Sequence, residues 1–360
     1  MSDDKAVLLL EDGASFEGLP FGQVGSALGE TVFYTGVVGY QELLTNPSYG
    51  GTLAVLTYPI IGSYGVNGED NESAAVRVSG LVIREYSRTY SNWRATGALE
   101  DFLAERGIVG IREVDTRALT VHLREHGEMR GVIASGNFDP KEPARRVRET
   151  PSPFGADLVR GMSRAEVRPA PGVERGRVVL LDLGVKRSLL DQLAALSVKV
   201  ELMPSTADAA AILAKRPERV LVAGGPGDPR VQEGAIGAVR RLLGKTPLLG
   251  IGLGHQVLAL ALGCQVARMR IGHHGVNYPV RDPRDGSGQI TVQHHSFVVS
   301  DDGLACGVEV THRNLNDQSI EGLRCREIEA SSVQFHPIPD EQEQPSDILA
   351  TFCGLGGPHA

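Results

Sequence analysis

Residues 246–256 read Thr-Pro-Leu-Leu-Gly-Ile-Gly-Leu-Gly-His-Gln. Leu248 to Ile251 is a short apolar strand, a glycine-rich turn follows, and Val257 to Leu262 continues as an apolar helix. This is the layout of a nucleophile elbow, in which a sharp strand-to-helix turn lifts one reactive side chain above the end of a parallel sheet. The residue at the apex is Gly252, which has no side chain to attack with. The scaffold for covalent catalysis is present without its reactive atom.

A general base belongs beside such an elbow, and His336, after a buried-looking strand and before Pro337, is the candidate. A triad needs a third group that orients the imidazole. Two residues on stands Ile338, which accepts neither a proton nor a hydrogen bond. Asp340 and Glu341 are near, but Pro337 and Pro339 constrain the path, so neither is expected to substitute. A second loop, Gly224-Gly-Pro-Gly-Asp-Pro229, also follows a strand. Alone it reads as a tight turn. Beside an elbow, its bare backbone would let N–H groups approach an oxyanion. His273-His274, His294-His295, His312 and His336 invite a metal reading. Adjacent histidines point to different sides of a strand, and no HExxH or Cys/His spacing occurs, so no metal is expected.

These residues need a sheet to position them, and the chain from Arg177 supplies one. Strands at Val178–Asp182, Val198–Leu202, Arg219–Ala223 and Leu248–Ile251 alternate with helices at Arg187–Leu196, Ala207–Ala214 and Val231–Leu243. That alternation predicts a mostly parallel sheet with right-handed crossovers, and ligands bind at the carboxyl ends of such strands. The tail from Gly288 to Cys353 returns to a β-rich pattern and contains Gln293-His-His-Ser-Phe297 and Val333-Gln-Phe-His-Pro337. Residues 151–175, rich in Pro, Gly and Arg, read as a linker. Residues 1–150 open with a hairpin, Ala6–Leu10 and Ser15–Gly18 around Glu11-Asp-Gly13. Further strands are expected at Glu30–Thr35, Thr52–Tyr58 and Val76–Ile83, with helices at Ala98–Arg106 and Asp115–Arg124, the latter capped by Asp115. No βαβ alternation is visible there, so this domain is expected to be α+β. The division is then 1–150, a linker at 151–175, and 176–360.

Bulk properties bound the function. A length of 360 residues suits about two domains, each with its own core. At 41% hydrophobic and 22% charged, the composition is that of a soluble globular protein. A net charge of -8 argues against a nucleic-acid surface. No apolar run approaches the roughly 18–20 residues of a membrane span. The start, Met1-Ser-Asp-Asp-Lys5, is polar and acidic, unlike a signal peptide. Cys264, Cys306, Cys325 and Cys353 are too scattered for a disulfide framework, which fits a reducing cytoplasm.

Longer strings name a family. Thr35-Gly-Val-Val-Gly-Tyr-Gln-Glu-Leu-Leu-Thr-Asn-Pro-Ser-Tyr49, Leu56-Thr-Tyr-Pro59, Ile61-Gly-Ser-Tyr-Gly-Val-Asn67 and Gly110-Ile-Arg-Glu-Val-Asp-Thr-Arg-Ala-Leu119 stand in the N-terminal part. Leu183-Gly-Val-Lys-Arg187, Gly272-His-His-Gly-Val-Asn277 and Leu315-Asn-Asp317 stand in the C-terminal part. Over essentially its whole length the chain resembles the small, glutamine-amidotransferase subunit of carbamoyl phosphate synthetase. The resemblance implies a class I amidotransferase-like domain behind an N-terminal domain particular to the small subunit. It implies glutamine hydrolysis by a Cys-His-Glu triad and passage of ammonia through a tunnel to a large subunit. That partner would hold the ATP and Mg2+ and make carbamoyl phosphate from bicarbonate, for arginine and pyrimidine synthesis; no cofactor is expected in this chain.

The carry-over is uneven. Ser48, Gly225, Gly227, Leu253, Gln256 and Phe297 match glutamine-contacting positions of the family. The triad cysteine is Gly252 and the triad glutamate is Ile338, whereas His336 keeps the base. His294 and Ser296 replace the Asn and Gly flanking His295, and Gly224 replaces a Ser or Asn. Cys264, about three helical turns on, is too far to replace the nucleophile. The expectation is a small-subunit homologue with little or no glutaminase activity that acts as partner of the large subunit. The alternatives are a working glutaminase that activates water through His336, and a module that binds glutamine without cleaving it.

Overall fold

A computed structural model of the chain describes residues 5–139, 141–339 and 342–355, which excludes Asp340 and Glu341. The chain divides into two units, residues 1–156 with 270–275, and residues 157–269 with 276–360.

The first unit contains β1 (Ala6–Leu10), β2 (Ser15–Gly22), β3 (Ser26–Tyr34), α1 (Tyr40–Thr45), β4 (Thr52–Leu56), β5 (Ile60–Ile61), β6 (Gly80–Val82), β7 (Glu85–Tyr86), α2 (Leu99–Glu105), β8 (Val109–Arg112), α3 (Thr116–His126), β9 (Met129–Ser135) and α4 (Glu142–Glu149). Seven of the strands close into a barrel in the order β1-β2-β8-β6-β4-β3-β9. Within it β3, β4, β6 and β8 run parallel, and the other pairings are antiparallel. The parallel run was not visible in the sequence, because β6 is only three residues long and its approach is irregular. Strand periodicity sorts the core. Leu53 and Val55 of β4 join Leu8, Phe33, Val82, Ile111 and Ile133 inside the barrel, while Ala54 and Leu56 pack outward with Leu43 of α1 and Leu99 of α2. Asp115 caps α3, its side chain accepting from the Ala118 N–H at 3.0 Å, and Leu119 and Leu123 join the interior cluster.

The second unit contains β10 (Glu166–Arg168), β11 (Gly176–Asp182), α5 (Arg187–Ala195), β12 (Val198–Pro204), α6 (Ala209–Ala214), β13 (Arg219–Ala223), α7 (Glu233–Leu242), β14 (Leu248–Ile251), α8 (Leu253–Leu262), β15 (Val266–Arg281), β16 (Gly288–Val299), β17 (Glu309–Asn314), β18 (Ile320–Cys325), β19 (Ala330–Val333) and α9 (Asp347–Phe352). The middle of β15, residues 270–275, groups with the first unit. The sheet order is β10-β12-β11-β13-β14-β19-β18-β16-β15-β17. From β12 to β19 its neighbours are parallel, which is the arrangement the strand–helix alternation predicts. Odd and even residues of β11 feed different faces: Val179 and Leu181 pack with α6, α7 and α8, and Val178 and Leu180 with α5. The stretch read as a linker contributes structure of its own, since β10 pairs antiparallel with β12 and Val159 is fully buried. Among the described residues no helix is long and apolar enough to cross a membrane.

Candidate active site

Three adjacent parallel strands of the second unit deliver the site. β14 lies between β13 and β19, and the chain leaves these three ends as the glycine loop, the elbow and the segment containing His336. The elbow's three glycines have different physical reasons. A Cβ on Gly254 would lie 1.9 Å from the Val222 carbonyl oxygen, so the first turn of α8 can press against β13 only without a side chain. A Cβ on Gly250 would lie 2.5 Å from the Gly254 carbonyl oxygen. Gly252 is held at φ 62°, ψ -120°, a strained conformation for any residue with a Cβ. Yet the space around it is open. Among the described residues, its chain neighbours aside, a Cβ there would meet only His336 within 4 Å, at 3.4 Å from Cε1 and 3.8 Å from Nε2. The Gly252 N–H donates to the Val333 carbonyl at 3.1 Å, and α8 begins with the His255 N–H donating to the Gly252 carbonyl at 3.0 Å.

The turn therefore keeps the shape of a nucleophile elbow and points its apex at a histidine. His336 is buried, and its backbone N–H is fixed by the Val292 carbonyl at 2.9 Å. Burial, reinforced by the nearby charge of Lys186 and by His295, holds the imidazole well below its usual range. It is neutral at neutral pH and can accept a proton. Its ring lies beside that of His294, with centroids 5.2 Å apart. Among the described residues no carboxylate bonds to it. Ile338, two residues beyond His336, is 48% exposed and presents an apolar side chain to solvent. Gln192 braces the segment instead, donating to the Pro337 carbonyl at 3.0 Å and accepting from the Ser346 N–H at 3.0 Å.

The glycine loop is equally restricted. Gly224, Gly225 and Gly227 all have positive φ. A Cβ on Gly224 would sit 2.1 Å from the Gly184 carbonyl oxygen, so the position takes no larger residue without a backbone shift. A Cβ on Gly225 would sit 2.5 Å from both the Leu183 carbonyl oxygen and Leu253 Cδ2, which places Leu253 directly against this loop. Gln256 is buried, and its amide donates to the Phe297 carbonyl at 2.8 Å and the Gln334 side chain at 2.9 Å. Ser296 and Phe297 are buried beside it in β16, and His294 is half-buried. Ser48 belongs to the first unit, where its N–H is held by Asn46 at 3.0 Å. Cys264 is buried past the far end of α8, about 15 Å of helix from the apex.

Two residues at the end of β11 had no role assigned from the sequence. Asp182 is buried and accepts from the N–H groups of Gly184 and Val185, both at 2.8 Å, which shapes the loop that Gly224 packs on. Lys186, also buried, supplies the positive charge felt by His336. Asp182 precedes the string Leu183-Gly-Val-Lys-Arg187 and Lys186 lies within it, so their neighbourhood was visible and their function was not.

Comparison with known proteins agrees with this layout. Residues 8–133 match the family model of the carbamoyl-phosphate synthase small chain, CPSase domain, and residues 179–353 match that of the class-I glutamine amidotransferases. The carbamoyl phosphate synthase small chain of Syntrophotalea carbinolica is 42% identical over 347 residues, covering 92% of each chain. That of Bacillus caldolyticus is 42% identical over 335 residues, covering 92% of this chain and 91% of its own. That of Aquifex aeolicus is 41% identical over 345 residues, covering 92% and 93%.

Proposed function

The chain belongs to the carbamoyl-phosphate synthase small-chain family, and from that premise we propose that it is a member without glutaminase activity of its own. The observation that supports this most directly is the geometry at Gly252. Its missing Cβ faces His336 at 3.4 Å and, its chain neighbours aside, no other described residue within 4 Å, so the place has room for a side chain that the sequence does not supply. A thiol there would lie within proton-transfer reach of a neutral base. Without it no covalent intermediate forms, and loss of such a nucleophile costs on the order of a millionfold in rate. Ile338 removes the group that would orient the imidazole, which is a second and independent loss. The chain then serves as partner of a large subunit that uses free ammonia and itself binds the ATP and Mg2+.

The test is glutamate release from glutamine by the wild type and by Gly252→Cys, each with and without a large subunit. The proposal expects no release by the wild type. Normal turnover by the purified wild-type chain would sink it.

The retained glycine loop favours a second reading, that the pocket still binds glutamine. Gly224 and Gly225 keep backbone geometry that no side chain can enter, as a cradle for a ligand oxygen requires. Gly225, Gly227, Leu253, His294, Ser296 and Phe297 would form it, with Gln256 holding the Phe297 carbonyl. Calorimetry with glutamine checks this; no heat at millimolar ligand removes it.

A further inference from the structure

The barrel of the first unit has a mouth to which no role is assigned. β3, β4 and β6 are adjacent and parallel, and the chain leaves them at Thr35, at Thr57-Tyr-Pro59 and at Arg84. The fourth parallel strand, β8, leads into α3. In open parallel sheets, ligand contacts gather in residues just past the carboxyl ends of the strands. Here they and one flank of α3 line a cleft of about 430 Å³. The helix wall contains Arg117, Thr120, Val121 and Arg124, a spacing of i, i+3, i+4 and i+7 that puts them on one stripe.

The chemistry of the walls is one-sided. Arg84, Arg117 and Arg124 all line the cleft, and among the described residues no carboxylate does. This occurs in a chain whose net charge is -8. Of the two acids between β8 and α3, Glu113 pairs with Arg112, and Asp115 caps α3 at the Ala118 N–H. Among the described residues the guanidinium groups of Arg84 and Arg117 make no ion pair or hydrogen bond, and that of Arg124 only overlies the Phe33 ring, 5.4 Å from its centroid. The threonines divide. Thr57 donates its hydroxyl to the Tyr34 carbonyl at 3.0 Å and Thr120 to the Thr116 carbonyl at 2.6 Å, whereas among the described residues the hydroxyls of Thr35 and Thr116, which also line the cleft, make no hydrogen bond.

Guanidinium is the side chain best matched to carboxylate and phosphate oxygens, because its fixed fork donates two parallel hydrogen bonds. Three such groups around one cleft repel one another unless an anion sits among them. We propose that this cleft is an oxyanion-binding site, taking a carboxylate or phosphate group through Arg84, Arg117 and Arg124, with Thr35 and Thr116 as neutral donors. The site is independent of the elbow chemistry, and its test does not read glutamine turnover.

Calorimetry on the full chain at low ionic strength, with inorganic phosphate, citrate and hexaglutamate as separate probes, decides it. At least one probe should bind with one-to-one stoichiometry at millimolar or tighter affinity, and weaken as salt is raised. Phosphate or citrate binding identifies a free small anion as the occupant, and binding of hexaglutamate alone identifies carboxylates presented by a polypeptide. The triple variant Arg84→Gln, Arg117→Gln, Arg124→Gln should bind the successful probe at least ten-fold more weakly. The corresponding Lys variants should recover part of the loss, and thermal melting should show all of them folded. Absence of binding by all three probes, or equal binding by the Gln variant, overturns the proposal.

Discussion

In the second unit the ends of β13, β14 and β19 bring together a glycine loop, Gly252 and His336; in the first, the ends of β3, β4 and β6 bring together Thr35, Thr57 and Arg84, with α3 adding two more arginines. The architecture is the same and the deficits are opposite. At the elbow the backbone has the shape of a nucleophile turn, down to a φ of 62° at the apex, and the apex residue has no side chain. At the barrel mouth the charged side chains are in place and their counter-charge is missing. Backbone shape is fixed by many contacts at once: Gly250, Gly254 and Gly224 each touch neighbouring backbone where a methyl would not fit. A single side chain depends on nothing else, so chemistry can leave a site without its scaffold following.

The largest effect should come from restoring that chemistry. Gly252→Cys places a thiol next to a neutral His336, and Ile338→Glu adds the orienting group in the same chain. If only the side chains are missing, the double variant should release glutamate at least about a hundredfold faster than the wild type, since a positioned general base alone is worth roughly 100- to 10,000-fold. No gain by either variant would show that the shape has decayed too, through His294 or Ser296, and the contrast between scaffold and chemistry would fail. The single Gly252→Cys variant should also melt lower, because its φ then costs about 1–3 kcal/mol.

Next is Gly254→Ala. Its methyl would lie 1.9 Å from the Val222 carbonyl oxygen, and both atoms belong to the centre of the sheet and the start of α8. Relief requires α8 to move off β13, at a cost of about 3 kcal/mol or more, at the upper end for overpacked cores. Chemical denaturation measures it. A change under about 1 kcal/mol would mean the elbow is looser than its contacts indicate.

The buried histidines set a pH dependence that belongs to the second unit. Burial pushes His255 down to about 3, and it lowers His336 and His312 as well. Each has a folded-state value below its unfolded 6.5, so the neutral form is the one the fold accepts. Their contribution is fully present above pH 6.5 and is lost as pH falls toward the folded values. The slope is up to about 1.4 kcal/mol per pH unit for each histidine. Denaturant unfolding at pH 7.5 and 5.5 should show stability falling with acidity, and less steeply in His255→Gln. A flat profile would mean that these imidazoles are hydrated.

What the sequence made legible follows the same contrast. β13 and β14 could be bounded to the residue: β14 lies between Pro247 and Gly252, and β13 is an apolar run between the charged pair Glu218-Arg219 and Gly224. α3 was legible from Asp115 and Gly127, its two caps. Gly252, His336 and the glycine loop stood out because each is chemically unusual where it stands. β15 was not legible: its sixteen residues interleave Arg, His and Gly with apolar positions and show no steady alternation. β10 hid in a Pro- and Gly-rich stretch, since its partner β12 lies far along the chain. The barrel mouth was invisible for a related reason. Arg84, Arg117 and Arg124 are ordinary surface residues until the pairing of β3, β4, β6 and β8 sets them around one space.

The smallest expected effects sharpen the comparison on the barrel side. Asp115→Ala removes the cap of α3, whose side chain holds the Ala118 N–H, and should cost about 1 kcal/mol. The Arg84, Arg117 and Arg124 to Gln substitutions should change stability by less than about 0.5 kcal/mol, as for exposed positions without ion-pair or hydrogen-bond partners. Their sign is informative. Charges that hold the fold together lower the melting temperature when removed, whereas charges kept for a ligand leave it unchanged or raise it by relieving mutual repulsion. Melting in low salt, where repulsion is least screened, gives the clearest reading. A marked fall for the triple variant would assign the arginines to the barrel's own stability, and a flat or rising value would leave them as groups whose counter-charge comes from outside the chain.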